Sequence, residues 1–144
     1  MYAGCKEKLL AVLAAQSHVS LTTDMWTSRA GDGYMSLTCH FVSSEFEMHH
    51  CNLFTHHLPR VHDHVNIAEA LRVSTTEWRI DLQDQVMAFT TDNGSNIVKA
   101  ISDDLQKLHI PCVGHTLNLA VQAALKVPRL MRILARCRKT ATFQ

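Results

Sequence analysis

Residues 86–96 read Val-Met-Ala-Phe-Thr-Thr-Asp-Asn-Gly-Ser-Asn and decide how the rest of the chain is interpreted. The apolar run ends at Asp92, and turn-forming residues then lead into the helical pattern of Ile97, Val98 and Ile101. A continuous apolar run bounded by turn residues is typical of a strand buried on both faces of a helix-covered sheet. We therefore expect Asp92 at the carboxyl end of a central strand, where open α/β sheets place their sites.

A second carboxylate, Asp24, has a similar setting. Residues 19–26 read Val-Ser-Leu-Thr-Thr-Asp-Met-Trp, and side-chain alternation places Asp24 on the strand face opposite Thr23. Both aspartates follow a Thr-Thr pair. Two acids on neighbouring buried strands would suit a hard cation such as Mg²⁺, which prefers carboxylate oxygens. The alternative is that each aspartate merely ends a strand or caps a turn, which is ordinary turn chemistry.

The overall charge gives no sign of nucleic-acid binding, because the formal net charge is only +1. Basic residues nevertheless crowd the C-terminal end with no acid among them: Arg129, Arg132, Arg136, Arg138 and Lys139. Four of these five, all except Arg138, recur at three- and four-residue spacing and would share much of one helix face. Such a stripe indicates either a phosphate-binding face or a solvated helix face.

Targeting signals and cysteine usage both favour an intracellular protein. Charged residues precede the early apolar stretch, so no secretory signal peptide is predicted, and no apolar run is long enough to span a membrane. The cysteines are scattered and odd in number, so we expect reduced thiols, mostly buried as small hydrophobic groups. They are Cys5, Cys39, Cys51, Cys112 and Cys137.

Periodicity predicts an α/β fold. Helices are expected over about 2–17, 62–71 and 95–108 and from His115 and Pro128, and strands over about 19–25, 34–42, 46–58, 86–91 and 110–113. Residues 74–84 suit either a continued helix or a loop. Pro59 is expected to end the third strand, and Asn93 or Ser95 to cap the helix after Gly94. Three antiparallel strands followed by βα units predict a mixed sheet with helices on its faces.

Three motifs in order resemble those of a known superfamily. They are Thr-Thr-Asp-Met-Trp-Thr-Ser at 22–28, Thr-Asp-Asn-Gly-Ser-Asn at 91–96 and Cys-Val-Gly-His-Thr-Leu-Asn-Leu at 112–119. Together they resemble the hAT superfamily of DNA transposases, and in particular the zinc-finger BED-domain proteins derived from them. The resemblance runs from roughly residue 5 to 140. It implies that residues 1–144 are the N-terminal part of an RNase H-like transposase core, a partial RNase H-like fold.

The resemblance also assigns roles to the two aspartates. Asp24 and Asp92 match the first two of three family carboxylates, which would hold Mg²⁺ for phosphodiester cleavage and strand transfer. The third acid of the family is a glutamate after a large helical insertion, and we find neither in these 144 residues. Asp103 and Asp104 lie on the helix after Asp92, in the wrong place to substitute. Catalysis by this chain alone is therefore not expected.

Other metal-type residues have a plainer interpretation. Cys112 and His115 have the spacing of half a zinc site, but no partner pair is evident, so spacing alone favours a buried thiol and a helix-start histidine. The resemblance instead makes this pair a family signature near the catalytic face. Adjacent strand histidines point to opposite faces, so we expect no metal site at the six clustered histidines. They are His49, His50, His56, His57, His62 and His64.

The two tryptophans differ in what they suggest. Trp26 would share the strand face of Asp24 and either pack beneath the site or stack on a flipped base, with packing the commoner use. Trp78 is expected in the core.

Two functions of different class follow from the resemblance. One is a transposase-derived, nuclear DNA-binding or transcription-regulatory protein without catalysis. The other is a fragment of an active transposase that cleaves and joins DNA with Mg²⁺; a remnant without function is a third interpretation. The BED finger, to which zinc would belong, and the C-terminal dimerisation region are not found in this sequence. The expected partners are DNA, bound weakly, and in a full-length family member a second copy, but no membrane.

Overall fold

The structure, a computed structural model, describes residues 2–58 and 62–141, and the side chains of residues 4–58 and 62–138. The chain divides into a first unit, Met1–Pro111, and a second unit, Cys112–Gln144. Each unit is described by itself below. Pro59, which was expected to end the third strand, lies outside the described residues.

The first unit is a mixed sheet with helices. Its elements are α1 Tyr2–Ala14, β1 Val19–Thr27, β2 Gly33–Val42, β3 Met48–His57, α2 His64–Glu77, β4 Val86–Thr91, α3 Ser95–Lys99, a π-helix Ala100–Asp104 and β5 Leu108–Pro111. The strand order is β3-β2-β1-β4-β5. The first three strands pair antiparallel, whereas β4 pairs parallel with β1 and with β5. The predicted α/β class, with antiparallel strands followed by βα units, is confirmed.

Side-chain alternation explains how the sheet packs. Met35, Leu37 and Cys39 of β2 are buried, and the residues between them are half-exposed, as the sequence predicted. These buried side chains form one core with apolar residues of α1, α2, α3 and the π-helix. We call this side of the sheet the helix face. The other side, which carries Thr22, Asp24 and Trp26 on β1, is the opposite face.

Strand β4 departs from the prediction that it is buried on both faces. Phe89 is fully buried, but Met87 is 54% exposed. Val19 pairs with Val86 and Ser20 with Ala88, so Met87 is the extra residue of a β-bulge between β1 and β4. A bulged residue has no partner opposite it, and its side chain is displaced from the regular alternation.

Helix α2 is longer than predicted. Asp63 is its N-cap, and the Asp63 carboxylate accepts a hydrogen bond of 2.8 Å from the backbone N–H of Asn66. This satisfies one of the amides that lack a partner in the first helical turn. The helix continues to Glu77, which settles the ambiguity of residues 74–84, and Arg79 then adopts a left-handed φ of 53°.

The single helix predicted over 95–108 is wrong in its second half. Helix α3 gives way at Ala100 to a π-helix, in which the N–H of Leu105 bonds the carbonyl of Ala100 at 2.9 Å. The wider π turn keeps Ala100, Ile101 and Leu105 buried together. Gln106 then takes a left-handed φ of 54° and ends the helix. Strand β5 consequently covers 108–111 rather than 110–113.

The second unit consists of α4 Val113–Leu125 and α5 Pro128–Ala141. Helix α4 starts two residues before His115, so that residue lies in its first turn instead of opening it. Pro128 is the first residue of α5, where its missing N–H costs no helical hydrogen bond. Across the described part of both units, no helix combines the length and apolar character that crossing a membrane requires.

Candidate functional site

The parallel pairing of β1 and β4 brings Asp24 and Asp92 to one edge of the sheet. The last register pair between these strands joins Thr22 to Thr90. Asp24 and Asp92 each lie two residues beyond this pair, on neighbouring strands about 4.8 Å apart. Asp92 directly follows the end of β4, whereas Asp24 lies within β1, which continues to Thr27, and pairs with Ser36 of β2.

The turn after β4 is built around the Asp92 carboxylate. Its Oδ1 accepts a hydrogen bond of 3.2 Å from the N–H of Gly94, the two-residue reach of an Asx turn. Asn93 supplies the left-handed φ of 70°, whereas Gly94 has an ordinary φ of −55°. A Cβ at Gly94 would lie 3.4 Å from Asp92 Oδ1, which is an ordinary van der Waals contact. Gly94 is also the N-cap of α3, without a side-chain cap bond, so the expected capping by Asn93 or Ser95 is wrong.

The residue before Asp92 anchors the strand end. Thr91 is buried, and its Oγ1 lies 2.9 Å from Nε2 of His109 on β5. The same hydroxyl accepts a hydrogen bond of 3.3 Å from the N–H of Asn93. These contacts join β5 to the Asp92 turn. Sequence reasoning missed His109, because nothing local indicates which residue of β5 lies beside Thr91.

Asp24 is more open to solvent than Asp92. It is exposed on the opposite face, and its Oδ1 accepts a 2.9 Å hydrogen bond from the N–H of Met25. Trp26, two residues on, is 42% exposed and stacks on Tyr34 with ring centroids 5.7 Å apart. Trp26 is thus no core residue. Trp78 is buried as predicted, and the Lys6 ammonium lies 5.1 Å from its ring centroid.

A cleft of about 250 Å³ adjoins Asp92. It is lined by Met25, His62, Ile67, Asp92, Gly94, Ser95, Asn96 and Ile97. The Asn96 side-chain amide donates a 2.7 Å hydrogen bond to the carbonyl of His62, which ties the segment before α2 to α3. His62 was expected at the start of a helix and not in a metal site, and no place in a cleft was predicted for it. Asn96 belongs to the same sequence motif as Asp92, and this was the one indication in the sequence that Asn96 would line a cleft beside Asp92.

The two aspartates fit Mg²⁺ in the type of atom they offer but supply only part of a ligand set. Their hydrogen bonds in the described residues use Oδ1, which leaves the second carboxylate oxygen of each for a cation. Mg²⁺ takes six oxygen ligands in octahedral geometry, and two carboxylates with water are a common protein contribution. Within residues 2–58 and 62–141, however, no three histidine, cysteine or acidic side chains converge on one point.

The clustered histidines have separate partners. His64 Nδ1 lies 2.6 Å from the Asp104 carboxylate, and this contact joins α2 to the π-helix. His49 and His57 lie 3.9 Å from Glu47 and Asp32. On β2, His40 contacts the Thr22 hydroxyl, and burial, followed by nearby His50, lowers the pKa of His40.

The remaining predicted residues belong to the second unit. Cys112 is the N-cap of α4, and its carbonyl accepts hydrogen bonds of 3.0 Å from the N–H and the hydroxyl of Thr116. His115 is half-exposed in the first turn. On α5, Arg129, Arg132 and Arg136 are exposed. The side chain of Lys139 lies outside the described residues.

Comparison with known proteins gives a consistent family. The model of the ZBED1 RNase-like domain matches residues 22–126. The putative AC transposase of Zea mays is 27% identical over 142 residues, which cover 88% of this chain and 17% of that protein. Human zinc finger BED domain-containing protein 4 is 28% identical over 144 residues, covering 93% and 12%. The putative transcriptional regulator tpeD of Talaromyces stipitatus is 24% identical over 132 residues, covering 83% and 15%.

The chain thus spans less than a fifth of the length of these curated relatives. The match begins at Thr22, two residues before Asp24, and runs through β4, Asp92, Cys112 and His115. With its five-stranded mixed sheet, the first unit has a partial RNase H-like fold. The chain belongs to the ZBED1 RNase-like domain family, which is related to the hAT transposases and the zinc-finger BED-domain proteins derived from them.

Proposed function

We propose that this chain is the N-terminal part of a transposase-derived core that binds DNA in the nucleus in a regulatory role, without catalysing strand cleavage. The observation that carries the proposal is helix α5. Arg129, Arg132 and Arg136 are exposed along it at three- and four-residue spacing, and no acidic residue interrupts them. Residues at this spacing lie on one side of a helix, so their charges add over a stretch of phosphate backbone.

Binding through such a helix would be weak and insensitive to sequence. Arginine contacts to phosphate position a protein on DNA but carry no sequence information by themselves. The formal net charge of +1 means that little of the remaining surface adds to the attraction. Neutralising a few phosphates gives a Kd on the order of 10⁻⁵ M and a clear salt dependence.

A regulatory rather than catalytic role follows from the acids. By the resemblance, Asp24 and Asp92 match the first two of three family carboxylates, and they contribute negative charge at the carboxyl end of β4 and the neighbouring part of β1. Phosphate is repelled there unless a divalent cation is bound. The family relationship to zinc-finger BED-domain proteins and to a putative transcriptional regulator supports a nuclear, regulatory setting.

A second function, DNA cleavage and strand transfer as part of an active transposase, is favoured by one observation. Asp24 and Asp92 follow the paired residues Thr22 and Thr90 at equal distance on adjacent parallel strands. That arrangement suits shared binding of Mg²⁺, which would polarise a phosphodiester and activate water. The residues of this chain would hold the ion through Asp24 and Asp92, and a third acid would have to complete the set.

Fluorescence anisotropy with duplex DNA of several sequences, from about 20 to 200 mM salt, tests the binding proposal. We expect similar affinity for all sequences and loss of binding as salt rises. The variant Arg132→Ala/Arg136→Ala should bind more weakly at low salt with a flatter salt slope. The control Lys8→Ala/Arg29→Ala removes two exposed charges from the first unit and should bind nearly as the parent does. Sequence-selective and salt-insensitive binding, or no binding at all, would contradict the proposal.

A nicking assay on supercoiled DNA with Mg²⁺ or Mn²⁺ separates the two functions. The regulatory proposal expects no nicking by this chain. Metal-dependent nicking that disappears in Asp92→Asn would establish the catalytic alternative and would mean that another acid serves as the third ligand.

A further inference from the structure

Two of the cysteines face each other across the sheet. Cys39 of β2 and Cys51 of β3 are direct register partners in the antiparallel pair. Partners in register project to the same face, here the helix face. Cys39 is fully buried, whereas Cys51 is half-buried on the edge strand of the sheet and packs against the core. One thiol is thus open to a small reagent, and the second lies directly behind it.

The backbone hydrogen bonds fix the spacing of the pair. The N–H of Ser43 donates to the carbonyl of Glu47 at 2.9 Å, which marks an antiparallel hydrogen-bonded pair. Such pairs alternate along the ladder, and the register is continuous from there back to Cys39 and Cys51. Cys39 and Cys51 are therefore also a hydrogen-bonded pair, with Cα atoms about 5.5 Å apart. Disulfides form across Cα separations of about 4.4–6.8 Å.

The two thiols are not equivalent. Hydrogen bonding from the neighbouring Cys39 thiol lowers the pKa of Cys51 by stabilising its thiolate, although partial burial opposes the shift. The same bond, together with burial, raises the pKa of Cys39, which retains the proton. The nucleophilic form of cysteine is the thiolate, so the more accessible Cys51 is also the more reactive of the two.

We propose that Cys39 and Cys51 form a reversible intramolecular disulfide when the protein meets a peroxide, with Cys51 as the attacking sulfur and Cys39 as the resolving one. This modification site is independent of the proposed DNA binding. It lies on β2 and β3, whereas the arginines of the proposed DNA contact are on α5.

The chemistry balances with hydrogen peroxide as the only oxidant. The Cys51 thiolate attacks one peroxide oxygen, the O–O bond breaks, and the leaving hydroxide is protonated to water, which leaves a sulfenic acid on Cys51. The Cys39 sulfur then attacks the Cys51 sulfur, the S–O bond breaks, and the departing hydroxide takes the Cys39 proton. Two thiols lose two electrons and two protons in total, and the peroxide becomes two waters.

The expected disulfide should also be easy to reduce. Side chains of a hydrogen-bonded antiparallel pair are set wider than those of the alternate pairs, so closing the S–S bond strains the ladder. Strained disulfides have more oxidising potentials and are reduced readily by thiols. Cys5 and Cys137, which are exposed on helices, have no thiol opposite them in the sheet and serve as internal controls.

Mass spectrometry of the whole chain tests the proposal. The protein is exposed to hydrogen peroxide at neutral pH, free thiols are alkylated, and the digest is analysed with and without dithiothreitol. We expect a linked Cys39–Cys51 peptide pair, lighter by two hydrogens than the separate peptides, that dithiothreitol resolves. Recovery of Cys39 and Cys51 as alkylated free thiols while Cys5 and Cys137 are oxidised would overturn the proposal.

Two matched variants test the roles of the sulfurs. In Cys39→Ser, the Cys51 sulfenic acid has no resolving partner and should accumulate, so that dimedone labels Cys51. In Cys51→Ser, dimedone labelling of Cys39 should be lower by about tenfold, because a buried thiol is mostly protonated. Stronger labelling of Cys39 than of Cys51 would reverse the assignment. If Cys39→Ser loses its circular dichroism signal, Cys39→Ala takes its place. The mass-spectrometric test on the parent chain does not depend on either variant.

Discussion

The two faces of the sheet differ in burial and in the residues they carry. On the helix face, Leu21, Leu37 and Phe89 are completely buried and join the core. On the opposite face of the same strands lie Thr22, Asp24 and Trp26, which range from half-exposed to exposed. Because successive residues of a strand alternate between faces, residues close in sequence differ in burial. Substitutions on the two faces should therefore differ in their effect on the free energy of unfolding.

The largest contrast is expected between Phe89 and Met87 on β4. Phe89→Ala should lower the free energy of unfolding by about 3–5 kcal/mol, because it removes a fully buried ring and leaves a cavity. Met87→Ala, at the exposed bulge residue, should cost less than about 1 kcal/mol. Urea unfolding followed by circular dichroism measures both. Equal losses would mean that the bulge does not place Met87 outside the core.

A smaller contrast is expected between adjacent threonines at the end of β4. Thr91→Val keeps the shape but removes the buried hydroxyl, and with it the contact to half-buried His109 and the hydrogen bond from the N–H of Asn93. We expect a loss of about 1–3 kcal/mol. Thr90→Val, on the opposite face, should change stability by no more than about 0.5 kcal/mol. A Thr91→Val protein as stable as Thr90→Val would show that these hydrogen bonds do not anchor the Asp92 turn.

The opposite face should also respond to pH through His40. Burial, and then the neighbouring His50, lowers the pKa of His40 below its usual 6.5, so the folded state binds its proton less tightly than the unfolded state does. Stability is therefore retained above the unfolded pKa and lost as pH falls below about 6.5. The stability that depends on neutral His40 is fully lost once the pH is below the pKa of His40 in the folded state.

Urea midpoints at pH 7.5 and 5.5 test this behaviour. His40→Asn should lose less stability on acidification than the parent, whereas the control His18→Asn, at an exposed histidine, should match the parent. An unchanged pH dependence in His40→Asn would contradict the inference.

The smallest effect on stability is expected at Asp24. Its side chain is exposed and makes one hydrogen bond, to the N–H of the next residue, which asparagine can still accept. Asp24→Asn should therefore change the free energy of unfolding by no more than about 0.5 kcal/mol. A loss above about 1 kcal/mol in the same urea assay would assign Asp24 a structural task and weaken its interpretation as a site residue.

Much of the fold could be predicted because the strands carry strong patterns. The alternation of Met35, Leu37 and Cys39 specified both β2 and its buried face. The apolar run to Thr91 located β4, the apolar spacing in α1 located that helix, and Pro128 located the start of α5. In β2 and α1 the pattern reflects burial of one face, which is a local property of the sequence, whereas no residue is buried in the described part of α5.

The failures occurred where local pattern carries no information about tertiary structure. Five residues are too few to distinguish the period of the π-helix at Ala100–Asp104 from that of an α-helix. The left-handed φ of Gln106 had no local signal, because glutamine rarely adopts this conformation, whereas asparagine adopts it more often than most residues and Asn93 could have been recognised. The bulge at Met87 depends on the register with β1, a strand distant in sequence.

The two aspartates of the candidate site could be selected from the sequence, but the residues that surround them could not. Asp24 and Asp92 were selected by their motifs, but the support of the Asp92 turn by Thr91, His109 and Asn96 comes from contacts between elements separated in sequence. The relation of Cys39 to Cys51 was equally hidden. It depends on the pairing register of β2 and β3, which is shifted by a bulge next to Thr38.

The parallel pairing of β1 with β4 has a consequence for folding kinetics. Leu21 and Phe89 are sheet neighbours, although β2, β3 and α2 lie between them in the chain. Closing so long a loop is slow compared with forming the hairpins of β1–β2 and β2–β3. Pulsed hydrogen exchange during refolding should protect amides in the antiparallel strands before those of β4. The two carboxylates would then come together only in the last stage of folding, so a nascent chain has no such acidic edge until its core has closed.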